Sequence, residues 1–215
     1  MSELLRYEMA APERVSDGAN VIVLLHGRGA DRFDLLGLRK RFPDDWFVVT
    51  PEAPFAGAPW GYGPGWAWYR FLGRNRPEEE SLNTSLERLH EFLDALPKIL
   101  GVEPARVALG GFSQGGTLSL AYALSHADGP SHILNFSGFL ADHPRVNVTS
   151  ASVQGYRFFW AHGTQDPNIS FDLAIEGRSI LGKSHADVTA HDYNIGHWID
   201  AQELSDANTW LLSGG

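Results

Sequence analysis

The chain has 215 residues, 43% of them hydrophobic and 20% charged, which is enough for one sizeable core and unlike the depleted, highly charged profile of disorder. Its 17 Lys plus Arg stand against 26 Asp plus Glu, a net charge of −9 that repels phosphate backbones and excludes nucleic acid as an expected partner. With no cysteine, disulfides and thiolate metal sites are excluded as well.

This length predicts a single domain over residues 1–215. The longest purely apolar run, Val-Ile-Val-Leu-Leu at 21–25, is far too short to cross a bilayer, so no stable membrane insertion is expected. Residues 1–8 lack the basic and then apolar layout of a signal peptide, and the expected location is the cytoplasm.

Apolar runs predict a strand over 4–9 and a second over 20–26, the latter apolar on both faces as in a parallel sheet. The loop His26-Gly27-Arg28-Gly29-Ala30-Asp31 follows, then a helix over 33–41 and a strand over 46–50. Residues 53–72 come next, with Phe55, Trp60, Tyr62, Trp66, Trp68, Tyr69 and Phe71 set among prolines and glycines, a composition no regular helix tolerates. Because the segment follows a strand, Trp60, Trp66, Trp68 and Tyr69 are candidates for lining an apolar acyl or aromatic pocket. A surface loop packed on itself is the other reading. A helix is predicted over 77–100, where Leu82, Leu86, Leu89, Leu93 and Leu96 make one apolar face. Glu78, Glu79 and Glu80 complement its positive end and Gly101 sits where a C-cap glycine would.

The strand over 106–111 runs into Gly111-Phe112-Ser113-Gln114-Gly115-Gly116 and then a helix over 114–126. A G-x-S-x-G between strand and helix is the layout of a nucleophile elbow, with Ser113 raised above the sheet on a strained turn and glycines where side chains would collide. The helix end faces the point where oxyanion charge develops in acyl transfer. Strands follow over 132–136 and 156–162, the second leading into His162-Gly163-Thr164-Gln165-Asp166. Asp166 therefore lies just past a strand's carboxyl end, where α/β sheets place their sites. Asp142, after a different strand, and Asp172, inside a predicted helix over 170–183, are weaker choices. In the last strand, 187–193, His191 is part of the pattern and His185 precedes it. His197 lies in the loop Asn194-Ile195-Gly196-His197-Trp198, before a final helix over 200–212.

Strands alternating with helices give an α/β class with a mainly parallel central sheet, helices on both faces and no large cap domain. The order Ser, acid, His makes Ser113 the nucleophile, His197 the base and Asp166 the residue that orients the base. The backbone N–H groups of Arg28 and Gln114 are assigned to the oxyanion hole.

Together, His26-Gly27-x-Gly29, the elbow 111–116, His162-Gly163-x-x-Asp166 and Gly196-His197 resemble the phospholipase/carboxylesterase family of α/β hydrolases, which includes acyl-protein thioesterases and small bacterial carboxylesterases. The likeness covers about residues 21–198. It implies the α/β-hydrolase fold, the same triad and the same two oxyanion donors. Ala30 before Asp31, and Arg28 in place of a commonly apolar residue, depart from the family and bear on substrate identity. The expected activity is hydrolysis of carboxylic esters or thioesters of small to medium acyl or aromatic groups through an acyl-enzyme. The expected partner is a small-molecule ester, a homodimer is compatible with it, and no metal or organic cofactor is implied. The competing readings are a catalytically silent binding module and a thioesterase or peptidase acting on a protein substrate.

Overall fold

The computed structural model of the chain describes residues 3–15 and 18–213; Met1 and Ser2, at the head of the 1–8 stretch, lie outside them, as do the ends of the 1–215 span. Seven strands form one sheet: β1 (Tyr7–Ala10), β2 (Asn20–Leu25), β3 (Trp46–Pro51), β6 (Arg106–Phe112), β7 (His132–Phe136), β8 (Arg157–Gly163) and β9 (Asp187–Tyr193), in the order β1-β3-β2-β6-β7-β8-β9. Only β1 runs antiparallel to its neighbour in this sheet. A two-stranded ribbon, β4 (Phe55–Ala56) with β5 (Trp66–Ala67), stands apart from it.

Alternate side chains of the strands serve two cores, as the period of two in a pleated strand requires. Val21, Val23, Leu25, Phe158 and Trp160 face the first, with the apolar stripes of α1 (Glu79–Asp94), α3 (Gln114–Ser125) and α4 (Phe171–Lys183). Ile22, Leu24, Phe159 and Ala161 face the second, under α5 (Ala201–Leu212) and the short helix Leu36–Arg41. The sheet is thus covered on both faces, and over it lies no cap domain among the described residues.

Three expected elements differ from those observed. The helix over 77–100 divides into α1 and α2 (Leu96–Leu100) at Ala95, because Pro97 has no N–H to give and its ring collides with the preceding turn; Gly101 caps α2 at φ 73°. The helix over 33–41 is a 3₁₀ segment, Leu36–Arg41, held between an Asx turn at Asp31 that takes the Phe33 N–H at 2.9 Å and Pro43. The first strand begins at Tyr7 rather than residue 4, since its partner β3 ends opposite, at Pro51.

The register brings the site together. Leu25 of β2 lies beside Gly111 of β6, so the loop from His26 and the turn at Ser113 leave the sheet side by side. Gly163 of β8 lies beside Tyr193 of β9, which does the same for the loops of Asp166 and His197.

Candidate active site

Ser113 sits at φ 55°, ψ −113°, between β6 and α3, a conformation costly for a residue with a Cβ. Its N–H is held by the Phe136 carbonyl at 2.8 Å. The tightness of the turn shows at Gly115, where an added Cβ would stand 2.0 Å from the Leu25 carbonyl oxygen.

Asp166 and His197 come from loops tied to one another: Thr164 N–H donates to the Tyr193 carbonyl at 2.8 Å and Gln165 N–H to that of Ile195 at 3.0 Å. The Asp166 side chain is fully buried. Its Oδ1 accepts the N–H groups of Asn168 and Ile169 at 2.8 and 2.9 Å, and its Oδ2 lies 2.6 Å from His197 Nδ1. Facing a carboxylate, Nδ1 carries the imidazole proton, and Nε2 is left as the acceptor, 2.9 Å from Ser113 Oγ. The Phe112 ring packs against the His197 ring with centroids 4.7 Å apart. His162 Nε2 reaches the Ile169 carbonyl at 3.0 Å and stands 3.6 Å from Asp166 Oδ2. Burial lowers its pKa from the ordinary histidine value, so it braces the acid's turn as a neutral ring.

The Arg28 and Gln114 N–H groups meet no acceptor among the described residues, and both residues border the cavity beside Ser113. His26, buried, explains how the first is aimed. Its Nε2 accepts the Ala53 N–H at 3.0 Å, which leaves the proton on Nδ1, 2.7 Å from the Gly27 carbonyl. That carbonyl and the Arg28 N–H belong to one planar peptide and point opposite ways, so fixing one directs the other. Burial pushes the His26 pKa down to about 4, keeping the ring neutral.

The cavity holds about 240 Å³ and is walled by Tyr69, Phe71, Phe112, Phe139 and Ile169, with Arg28 at its rim. A larger hollow of about 630 Å³ opens at the amino ends of β6 and β7, by Arg106 and His132. It contains none of the three grouped side chains. Of the four aromatic candidates, Tyr69 borders the cavity and three go elsewhere. Trp60 packs with Phe55 and Tyr62 in the ribbon region, and Trp66 lies under the Arg6 guanidinium. Trp68 is fully buried, its Nε1–H donating to the His26 carbonyl at 2.9 Å. Phe71, Phe112, Phe139 and Ile169 were not singled out from sequence; for Phe112 the signal was its place inside the elbow. The Arg28 guanidinium stacks on Tyr62 at 4.7 Å. Asp172 lies in the first turn of α4, and His191 faces Asp206 at 3.8 Å. Among the described residues no cluster of His, Cys, Asp or Glu side chains is grouped to hold a metal ion.

Residues 9–213 match the model of the phospholipase/carboxylesterase family. Among curated proteins, the chain is similar to an acyl-protein thioesterase 1 of Aspergillus fumigatus, 27% identical over 214 residues, covering 88% of this chain and 86% of the relative. Among solved structures, esterase PE8 aligns with a TM-score of 0.78 at 26% identity over 97% of this chain and 98% of its own. A carboxylesterase from Mesorhizobium loti reaches 0.84 at 20% identity, over 99% of this chain and 97% of its own, a likeness of fold.

Proposed function

The chain belongs to the phospholipase/carboxylesterase family, and from that premise we propose that it is a serine hydrolase in which Ser113, His197 and Asp166 cleave a carboxylic ester or thioester. The observation that carries these roles is the continuous relay of 2.9 and 2.6 Å from hydroxyl to imidazole to buried carboxylate.

In this reading His197 Nε2 takes the Ser113 proton as Oγ attacks the carbonyl carbon, and Asp166 stabilises the imidazolium without taking a proton. The oxyanion meets the Arg28 and Gln114 N–H groups, each already in place and each worth about 3 to 4 kcal/mol in comparable sites. The imidazolium then protonates the leaving alcohol or thiol, and water, activated by the same ring, releases the acid. The aromatic wall and modest volume of the cavity suit small to medium acyl or aromatic groups. One chain supplies every group named, so a homodimer would add none. A cytoplasmic location is part of the proposal and is checked by cell fractionation; among the described residues no helix is long and apolar enough to cross a membrane.

The test is labelling by a fluorophosphonate probe, comparing the wild type with Ser113→Ala, followed by a panel of chromogenic esters of graded acyl length. Labelling and turnover lost in the variant, with kcat down by about 10⁶, are expected. A folded wild type that takes no label would instead be a silent binding module. Inert esters with turnover of an acylated peptide would move the substrate to a protein, in the manner of the relative's printed name.

A further inference from the structure

One side chain joins the nucleophile elbow to the aromatic segment. Gln114, buried, accepts the Trp68 N–H on Oε1 at 3.1 Å and donates from Nε2 to the Tyr69 carbonyl at 2.8 Å. An N–H can only donate and a carbonyl only accept, so one orientation of the amide satisfies both. Other bonds hold the same segment: the Ser85 hydroxyl donates to the Trp68 carbonyl, and Ser81 Oγ accepts the Arg70 N–H at 3.1 Å. Those ties run to α1. Gln114 ties the segment instead to the residue that follows Ser113. The segment delivers Tyr69 and Phe71 to the cavity, whose lining also includes Phe139, with the Phe71 and Phe139 ring centroids 6.0 Å apart.

We propose that the Gln114 side chain is a positioning residue for acyl selectivity: it sets the distance between Ser113 and the Tyr69–Phe71 wall, while its own backbone N–H serves the oxyanion. The inference rests on the hydrolase reading above. Glutamine meets both needs at one position, since an uncharged side chain with an acceptor and a donor at its tip can grip an N–H and a carbonyl of adjacent residues.

The experiment measures kcat/KM for a butyrate and an acetate ester of the same alcohol, in wild type, Gln114→Met and Gln114→Glu, across the pH range in which each is folded. Both esters use the same serine and histidine, so any pH dependence of that shared machinery cancels from the butyrate-to-acetate ratio, and the wild-type ratio should be flat with pH. Methionine keeps the shape and loses both bonds. The displaced wall should lower the ratio by about tenfold, the low end of what one methylene's fit in an apolar pocket is worth. An ionised glutamate still accepts from Trp68 but faces the Tyr69 carbonyl with no proton; once protonated, it can donate again. Its ratio should therefore be low at high pH and climb toward wild type as pH falls. A side chain that only filled space would slow both esters by one factor in Gln114→Met and leave the Gln114→Glu ratio flat. That outcome overturns the positioning role. If Gln114→Met does not fold, the glutamate series decides, because one folded protein is compared with itself at different pH. A wild type that turns over neither ester overturns the hydrolase reading itself.

Discussion

In the proposed mechanism His26 acts through the Gly27–Arg28 peptide and not on the substrate itself. Its ring is clamped between the Ala53 N–H and the Gly27 carbonyl, and the consequence falls on the Arg28 N–H. Replacing it by leucine removes the restraint, leaves the Ala53 N–H buried without an acceptor and lets the Gly27–Arg28 peptide rotate. The expected result for His26→Leu is a fall in kcat of about tenfold to a hundredfold, below the loss on deleting an oxyanion donor outright, which is about 10² to 10³. KM should change less, because the ground-state carbonyl depends weakly on that donor. Steady-state kinetics on one short ester decides it: a raised KM with intact kcat would mean that His26 shapes the cavity rather than the hole. Nothing in the sequence around His26 announces this role, since it depends on a contact with Ala53, 27 positions away.

At the scale of the element, α5 carries an avoidable cost. Asp200 and Glu203 form a capping box: the Glu203 N–H donates to Asp200 Oδ1 and the Asp200 N–H to Glu203 Oε2, both at 2.8 Å. Glu203 is fully buried and its second oxygen, Oε1, has no hydrogen-bond partner. Burial pushes its pKa up to about 7. The folded pKa lies above the unfolded one, so the stability contributed is complete below the unfolded value of 4.5 and lost as pH rises through about 7. Glu203→Gln keeps the acceptor of the box and removes the charge. It should raise Tm at mildly alkaline pH by about 2 to 4 °C, the shift of about 1 kcal/mol in a chain of this length. Near pH 5 the gain should vanish; a gain of equal size at both pH values would show that charge burial is not its cause. Elements of this kind were largely legible. The leucines of α1, the five-residue apolar run in β2 and the elbow carry their own periodicity or turn chemistry, and the chain order of Ser113, Asp166 and His197 follows from which strand each one leaves. The aromatic segment was not legible in the same way. Trp68 and Tyr69 are neighbours with opposite destinations, one under the His26 loop and one at the cavity. Bonds made across the fold decide this: Gln114 grips the backbone of both residues, and the His26 carbonyl takes the Trp68 indole N–H. Phe139, which arrives from beyond β7, likewise joins the wall only through tertiary packing.

Over the whole molecule, several histidines are buried as neutral rings, and together they set an acid limit. The pKa values of His26 and His132 are both lowered to about 4, chiefly by burial, with the guanidinium groups of Arg106 and Arg157 adding to the effect on His132. His126, His143 and His162 are lowered too, again mainly by burial. In each case the unfolded chain binds a proton more readily than the folded one, so the stability these rings contribute is present above the unfolded value of 6.5 and is lost as pH falls below it, for His26 and His132 through about 4. Glu203 opposes this between 4.5 and about 7, where the folded state holds the extra proton. Burial raises the Asp34 carboxyl too, with Asp31 adding to the effect, but among the described residues two raised carboxyls stand against five lowered imidazoles, so the balance favours unfolding on the acid side. Tm measured by calorimetry should therefore fall steeply between about pH 6 and pH 4 and vary little just above neutrality. The proton count can be read directly: the unfolding equilibrium at about pH 5 should show net proton uptake, which His132→Gln reduces, since one fewer ring then waits to be charged. Proton release on unfolding in that range would mean that stability rises as pH falls there, with carboxyls held protonated in the fold outweighing the histidines, and the proposed acid limit would not exist.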